Sequence, residues 1–174
     1  QTVSIATTTG FTTSDYSLWP SAAPVLLLFA AFAGGCAGST AGGIKMVRVV
    51  LIYRQGVREI RRLIHPSGVF PIKLGRNPVP DRVIEAVWSF FAAYVIIFLT
   101  LVTAMMLISD FDFITAFSAV GACLNNLGPG LGDVALNYAS VPATAKWLLI
   151  FAMLLGRLEI FTVLVLLSPA FWRR

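Results

Sequence analysis

The chain is short of charge. Of its 174 residues only 12% are Asp, Glu, Lys or Arg, about half the share usual in a soluble globular domain. That excludes an ordinary water-soluble fold and points to a membrane protein. Histidine is scarcer still, with His65 alone, read as a solvated loop residue or a pH sensor. The two cysteines, Cys36 and Cys123, sit among apolar or small residues with no CxxC or Cys/His spacing, which disfavours zinc and redox sites. Acidic residues are few, 8 against 13 basic ones. In a soluble protein such a balance would suggest nucleic acid. Here the basic residues lie beside hydrophobic runs, so a cytoplasmic membrane face is the better reading and no nucleic-acid partner is expected. There is no initiator Met and no signal peptide, and the chain is expected to be the C-terminal part of a longer protein.

What is abundant is apolar surface, at 57% of residues, and it comes in blocks. Val83 to Ile108 and Ala145 to Ser168 are each long enough to cross a bilayer as one continuous helix. Phe113 to Leu124 is apolar too, but twelve residues rise only about 18 Å, so it reads as a re-entrant helix, with Asp110 or Asp112 available to cap it. A further helix is expected to begin near Pro20 and to stop after Ala33. Ten residues follow, Gly34-Gly35-Cys36-Ala37-Gly38-Ser39-Thr40-Ala41-Gly42-Gly43, of which five are glycine. Each glycine costs about 1 kcal/mol against Ala inside a helix. The helical pattern resumes from Ile44 to about Ile64, so the break falls at membrane depth, where interrupted helices mark ion or substrate paths. Nine of the thirteen basic residues lie between Lys45 and Arg82, which makes that segment cytoplasmic.

Between the two long spans lies Leu124-Asn125-Asn126-Leu127-Gly128-Pro129-Gly130-Leu131-Gly132-Asp133. A polar, glycine-rich loop cannot face lipid, because its unpaired N–H and C=O groups would each cost several kcal/mol. It must be buried or line a water-filled path, and glycine lets backbone carbonyls turn toward a common axis, which is how a pore replaces the water around a cation. Thr8 to Asp15 aligns with Asn126 to Asp133: Gly10 falls on Gly128, Asp15 on Asp133, and a proline (Pro20, Pro142) follows each. Thr9 stands where Leu127 stands, and those side chains share no chemistry. If both loops do one job, the backbone does it.

These motifs carry a resemblance. Thr7-Thr8-Thr9-Gly10-Phe11-Thr12-Thr13, Ala37-Gly38-Ser39-Thr40-Ala41-Gly42-Gly43-Ile44-Lys45, Asn126-Leu127-Gly128 and Gly156-Arg157-Leu158-Glu159 resemble, in order and over nearly the whole chain, the Trk/Ktr/HKT potassium transporter superfamily. The resemblance implies an all-α membrane protein of repeated membrane helix–pore loop–membrane helix units, four to a polypeptide around one pore. Residues 1–64 would then hold the filter loop and broken inner helix of the third repeat. Residues 65–82 would be a cytoplasmic basic linker, and 83–174 the complete fourth repeat. It implies potassium held by backbone carbonyls at Thr8, Thr9, Gly10, Asn126, Leu127 and Gly128. It further implies an intramembrane gating loop over Gly34, Gly35, Gly38, Ser39, Thr40, Gly42 and Gly43, and a pore-facing Arg157 below the filter. It implies potassium at the filter as the substrate and no cofactor bound by this chain. The implied setting is a multi-pass protein of the bacterial cytoplasmic membrane, a homodimer in the lipid bilayer with a cytoplasmic nucleotide-binding regulatory subunit. Pro129, directly after the filter glycine, departs from the pattern.

Other readings compete. Gly34, Gly38 and Gly42 form a GxxxGxxxG helix-packing series. Arg157 has Glu159 nearby, but residues two apart on a helix face different ways. Lys45 is either a snorkelling lysine or a gate contact. Gly34-Gly35-Cys36-Ala37-Gly38 fits a nucleophile elbow without a histidine partner, and Gly38 to Gly43 fits a phosphate loop without its Lys-Ser/Thr, so an enzyme is not expected. The alternative function is a secondary transporter of a small solute built on broken helices. A packing subunit is a third.

Overall fold

The computed structural model describes residues 1–13, 16–19, 22–36, 38–39, 42–75 and 77–172. Asp15, Pro20, Ala37, Thr40 and Ala41 of the motifs above lie outside these. The elements run α1 (Thr2–Ala6), α2 (Ala23–Ala33), α3 (Met46–Ile64), β1 (Lys73–Leu74), β2 (Asn77–Pro78), α4 (Asp81–Ile108), α5 (Phe113–Leu124), α6 (Ala143–Arg157), α7 (Ile160–Leu167) and α8 (Pro169–Trp172). The strands form one antiparallel hairpin, with Leu74 opposite Asn77.

α5 is the centre of the molecule. It has the predicted bounds and is capped by Asp112, whose Oδ1 accepts from the Thr115 amide at 3.2 Å. Its residues from Ala119 to Leu124 are all buried, as a helix apolar all round requires. Small residues on it let α4 and α6 close on either side. α2 docks against the same unit through Phe32, whose ring meets Phe98 edge-on at 5.4 Å and Tyr94 at 6.3 Å.

α4 is one unbroken apolar helix of 28 residues, about 42 Å long and enough to cross a bilayer. It leaves Ile96, Leu99 and Leu107 more than half exposed, an apolar surface that suits lipid or further protein rather than water. The basic helix α3 lies on the first turns of α4. Leu51 packs with Ile84 and Val87, and Arg58 pairs with Asp81 at 2.7 Å.

One expectation is corrected. Ala145 to Ser168 is not a continuous span. α6 ends at Arg157, α7 begins at Ile160, and the axes differ by 109°. The cause is Glu159, which takes φ 60° and so cannot continue a right-handed helix. A hydropathy pattern registers apolar length, and it stays apolar across a two-residue bend.

Candidate functional site

Two loops that follow helix ends share one backbone geometry. After α1, Thr7, Thr8 and Thr9 donate to the carbonyls of Val3, Ile5 and Ser4 at 3.0, 3.1 and 2.8 Å. After α5, Asn125, Asn126 and Leu127 donate to Gly121, Cys123 and Ala122 at 3.0, 3.1 and 2.8 Å. Thr8 and Asn126 both take φ 54°, while Gly10 and Gly128 take φ 83° and 103°. A left-handed conformation costs a non-glycine residue roughly 1–2 kcal/mol, and such strain is characteristic of functional loops. α1 and α5 both end here, so their carbonyl-rich, partly negative ends lie beside the loops, a polarity that favours a cation.

The two loops touch. A Cβ built on Gly10 would lie 2.1 Å from the Leu127 carbonyl oxygen, so only glycine permits this approach. Pro129 has no N–H to anchor the turn, and the carbonyls around it are held instead. The Tyr138 hydroxyl donates to Gly128 O at 2.7 Å and the Tyr16 hydroxyl to Gly130 O at 2.8 Å. Ser118 Oγ accepts from the Leu131 amide at 2.9 Å. The loop shape that Pro129 put in question is therefore set by two tyrosines and a serine.

Beneath the loops both inner segments break and restart alike. Lys45 caps α3 with φ 72°, ψ 132°, and Glu159 caps α7 with φ 60°, ψ 131°. From each the next turn closes on the cap carbonyl: Arg48 and Val49 donate to Lys45 O, Thr162 and Val163 to Glu159 O. Among the described residues, the non-glycine residues at positive φ are Thr8, Asn126, Lys45 and Glu159, two at the loops and two at the restarts. This aligns Gly42-Gly43-Ile44-Lys45 with Gly156-Arg157-Leu158-Glu159. The two caps pair: Lys45 Nζ is 2.8 Å from Glu159 Oε1, and Arg48 Nη2 is 3.0 Å from Oε2. Arg48 also lies 4.1 Å over the Phe90 ring.

The sequence-predicted residues fall as follows. Thr8, Thr9 and Gly10 lie on one loop and Asn126, Leu127 and Gly128 on the other, in contact at Gly10 and Leu127. Gly34, Gly35, Gly38, Ser39, Gly42 and Gly43 lie outside any helix, in the irregular stretch between α2 and α3, so the GxxxG helix-packing reading does not apply. Ser39, Gly43, Lys45 and Arg157 line one cavity of about 170 Å³, together with Arg48, Tyr94 and Glu159. The structure thus gathers the broken segment and Arg157 at one place. Glu159 faces Lys45 and Arg48 and pairs with both. Sequence reasoning missed Arg48, Tyr94, Asn125 and Glu159. For Glu159 a signal existed, since Gly-Gly-Ile-Lys and Gly-Arg-Leu-Glu align by eye; nothing marked Tyr94 among the aromatics of α4.

Three comparisons bear on the assembly. A family model described as "TrkH: Cation transport protein" matches residues 1–174. The chain is 56% identical over 174 residues to the Trk system potassium uptake protein TrkH of Halomonas elongata, covering 100% of this chain and 36% of that protein. It is 55% identical over 173 residues to the protein of the same name from Escherichia coli K12, covering 99% and 36%. The crystal structure of the potassium transporter TrkH from Vibrio parahaemolyticus superposes with a TM-score of 0.89 at 54% identity, over 97% of this chain and 36% of that one. The chain therefore spans about a third of the length of these relatives.

Proposed function

As the chain belongs to the TrkH family of cation transport proteins, we propose that it supplies two of four filter loops, and the gate beneath them, in a bacterial potassium-uptake protein. The observation that carries this is the pair of matched loops, Thr8-Thr9-Gly10 and Asn126-Leu127-Gly128, in contact at Gly10 and Leu127. Potassium sheds water at their carbonyls. The side chains of Thr9 and Leu127 differ while the backbones agree, as carbonyl coordination requires. Residues 1–64 end the third repeat, 65–82 link it to the fourth, and 83–174 are the fourth. Gly34 to Gly43, with Lys45 and Arg157, controls passage under the filter, and Arg157 repels cations there. The setting is the cytoplasmic membrane of a bacterium. A homodimer and a cytoplasmic nucleotide-binding subunit complete the assembly, with the basic face of α3 turned to that subunit or to lipid headgroups.

The test is uptake of rubidium and sodium by the complete four-repeat polypeptide in cells that lack potassium uptake. Gly128→Ser should lose selectivity or flux at equal expression. Wild-type uptake and selectivity would remove the filter assignment. The 109° break between α6 and α7 also suits a secondary transporter; saturable binding of an organic solute, with unselective cation flux, would favour that reading.

A further inference from the structure

We propose that Thr8 and Asn125 latch the gating loop to the filter at Gly42, so that loop position and filter occupancy influence each other. The inference rests on the filter and gate assignments above. The Gly42 amide donates to Thr8 Oγ1 at 3.3 Å. Thr8 therefore offers its backbone to the filter and its hydroxyl to the loop. On the opposite side, a Cβ on Gly42 would lie 1.9 Å from the Asn125 carbonyl oxygen, so the loop backbone rests directly on the end of α5. Asn125 is itself immobilised. It is 0% exposed, and its Oδ1 accepts from the Tyr94 hydroxyl at 2.7 Å. The same Oδ1 abuts Gly43, 3.2 Å from where a Cβ would stand. One end of the loop is thus gripped between the third-repeat filter and the fourth-repeat pore helix.

The internal repeat shows why this contact can act as a latch. Gly156 occupies the place of Gly42 in the fourth repeat, and there Asn126 Nδ2 lies 2.8 Å from the position of its Cβ. Asn126 Nδ2 donates to Met153 O, inside α6. In that repeat the filter side chain is bound to a continuous helix that holds its position. In the third repeat the matching side chain is bound to a glycine-rich segment joined to helix only beyond its ends. The matching side chains are thus tied to a glycine-rich segment on one side of the filter, by accepting from Gly42, and to a continuous helix on the other, by donating to Met153. Reciprocity follows: whatever orders the filter at Thr8 favours loop closure, and loop release loosens Thr8 to the same extent. Thr8 and Asn125 are positioning residues in this scheme, with Tyr94 holding Asn125.

Cys36 reports on the loop directly, because it is an exposed free thiol within it, whereas Cys123 is buried. The experiment uses the complete polypeptide in proteoliposomes, with Cys36 as the only cysteine, labelled by a charged methanethiosulfonate from the cytoplasmic side. Thr8→Val should raise the labelling rate about five- to tenfold, as expected when a buried amide loses its acceptor. Thr8→Ser should recover most of that change, and Tyr94→Phe should raise the rate about threefold. Replacing potassium by an impermeant cation should speed labelling in the wild type and add little in Thr8→Val. The latch is overturned if Thr8→Val and Tyr94→Phe label at the wild-type rate while Gly128→Ser alters the rubidium-to-sodium ratio, which leaves the filter assignment standing. If Gly128→Ser changes nothing, the filter assignment itself falls. Should Thr8→Val fail to assemble, Tyr94→Phe decides alone, because Tyr94 lies on α4 and the substitution removes only the hydroxyl that holds Asn125.

Discussion

The two halves of this chain use the same loop and the same left-handed cap but join them differently. In the C-terminal half α6 runs unbroken from Ala143 to Arg157, and the chain turns through two residues at Leu158 and Glu159. In the N-terminal half, α2 stops at Ala33 and α3 starts at Met46, with the glycine-rich segment between. Gly156 and Gly42 meet the same surface, the carbonyl-bearing end of α5, at 1.8 and 1.9 Å from their Cβ positions. A helix and an irregular segment thus meet the same end of α5. The difference teaches that one backbone surface can be met from a regular helix or from an irregular, glycine-rich segment.

The sharpest way to break that comparison is a matched pair of substitutions. Gly156→Ala drives a methyl into the Leu124 carbonyl from a helix packed in the core, and overpacking of this kind costs roughly 1–3 kcal/mol or more. Gly42→Ala meets the Asn125 carbonyl from a loop, which can lift. Thermal unfolding of the purified full polypeptide should therefore show a fall of several degrees for Gly156→Ala and little for Gly42→Ala. Ungated rubidium flux should rise in Gly42→Ala. Equal destabilisation would show that the loop is as rigid as the helix.

The two glycine loops come next in size. Gly10→Ala and Gly128→Ala both impose a left-handed conformation on alanine, at about 1–2 kcal/mol, but only Gly10 also faces a carbonyl oxygen, that of Leu127 at 2.1 Å. Selectivity for rubidium over sodium should fall in both, and folded yield should fall further in Gly10→Ala. The caps give a smaller effect. Glu159→Gln leaves Lys45 and Arg48 facing an amide, and since Glu159 is 43% exposed the lost pairing amounts to about 1 kcal/mol or less. The expected outcome is faster opening with unchanged selectivity, measured as flux at fixed potassium. A charge swap, Lys45→Glu with Glu159→Lys, should reverse part of it.

The smallest effect is at the α5 cap. Hydrogen bonds from Thr115, side chain first and then its amide, hold the Asp112 carboxyl below the usual carboxylate range. A lowered pKa means the cap is intact at neutral pH and weakens only as pH falls through that value, below about 4. Asp112→Asn should lower Tm by about 2 °C at pH 7, and the gap from wild type should close as pH drops below 4. A gap that persisted at low pH would remove the ionised cap from the account.

Several parts of this architecture were legible without coordinates. The bounds of α5 followed from apolar length and an acidic cap. The break after Ala33 followed from five glycines in ten residues, since each costs helix stability wherever it stands. The loop alignment of Gly10 with Gly128 followed from glycine spacing, because positive φ favours that residue type. The short helix α1 was not foreseen, as five residues carry too little periodicity. Nor was the bend at Glu159. A left-handed glutamate has no compositional mark, and its strain is tolerated because Lys45 and Arg48 hold its carboxylate from another helix.

The chain by itself determined where backbone must leave regular structure, because glycine content, apolar length and capping residues act locally. Only the tertiary structure decided which of those places meet. That Gly42 sits between Thr8 and Asn125, that Lys45 pairs with Glu159 across more than a hundred residues, and that Tyr94 anchors Asn125 all depend on how α2, α4, α5 and α6 pack. Such contacts are chosen by shape and by the need to satisfy buried polar groups, which no single stretch of sequence encodes.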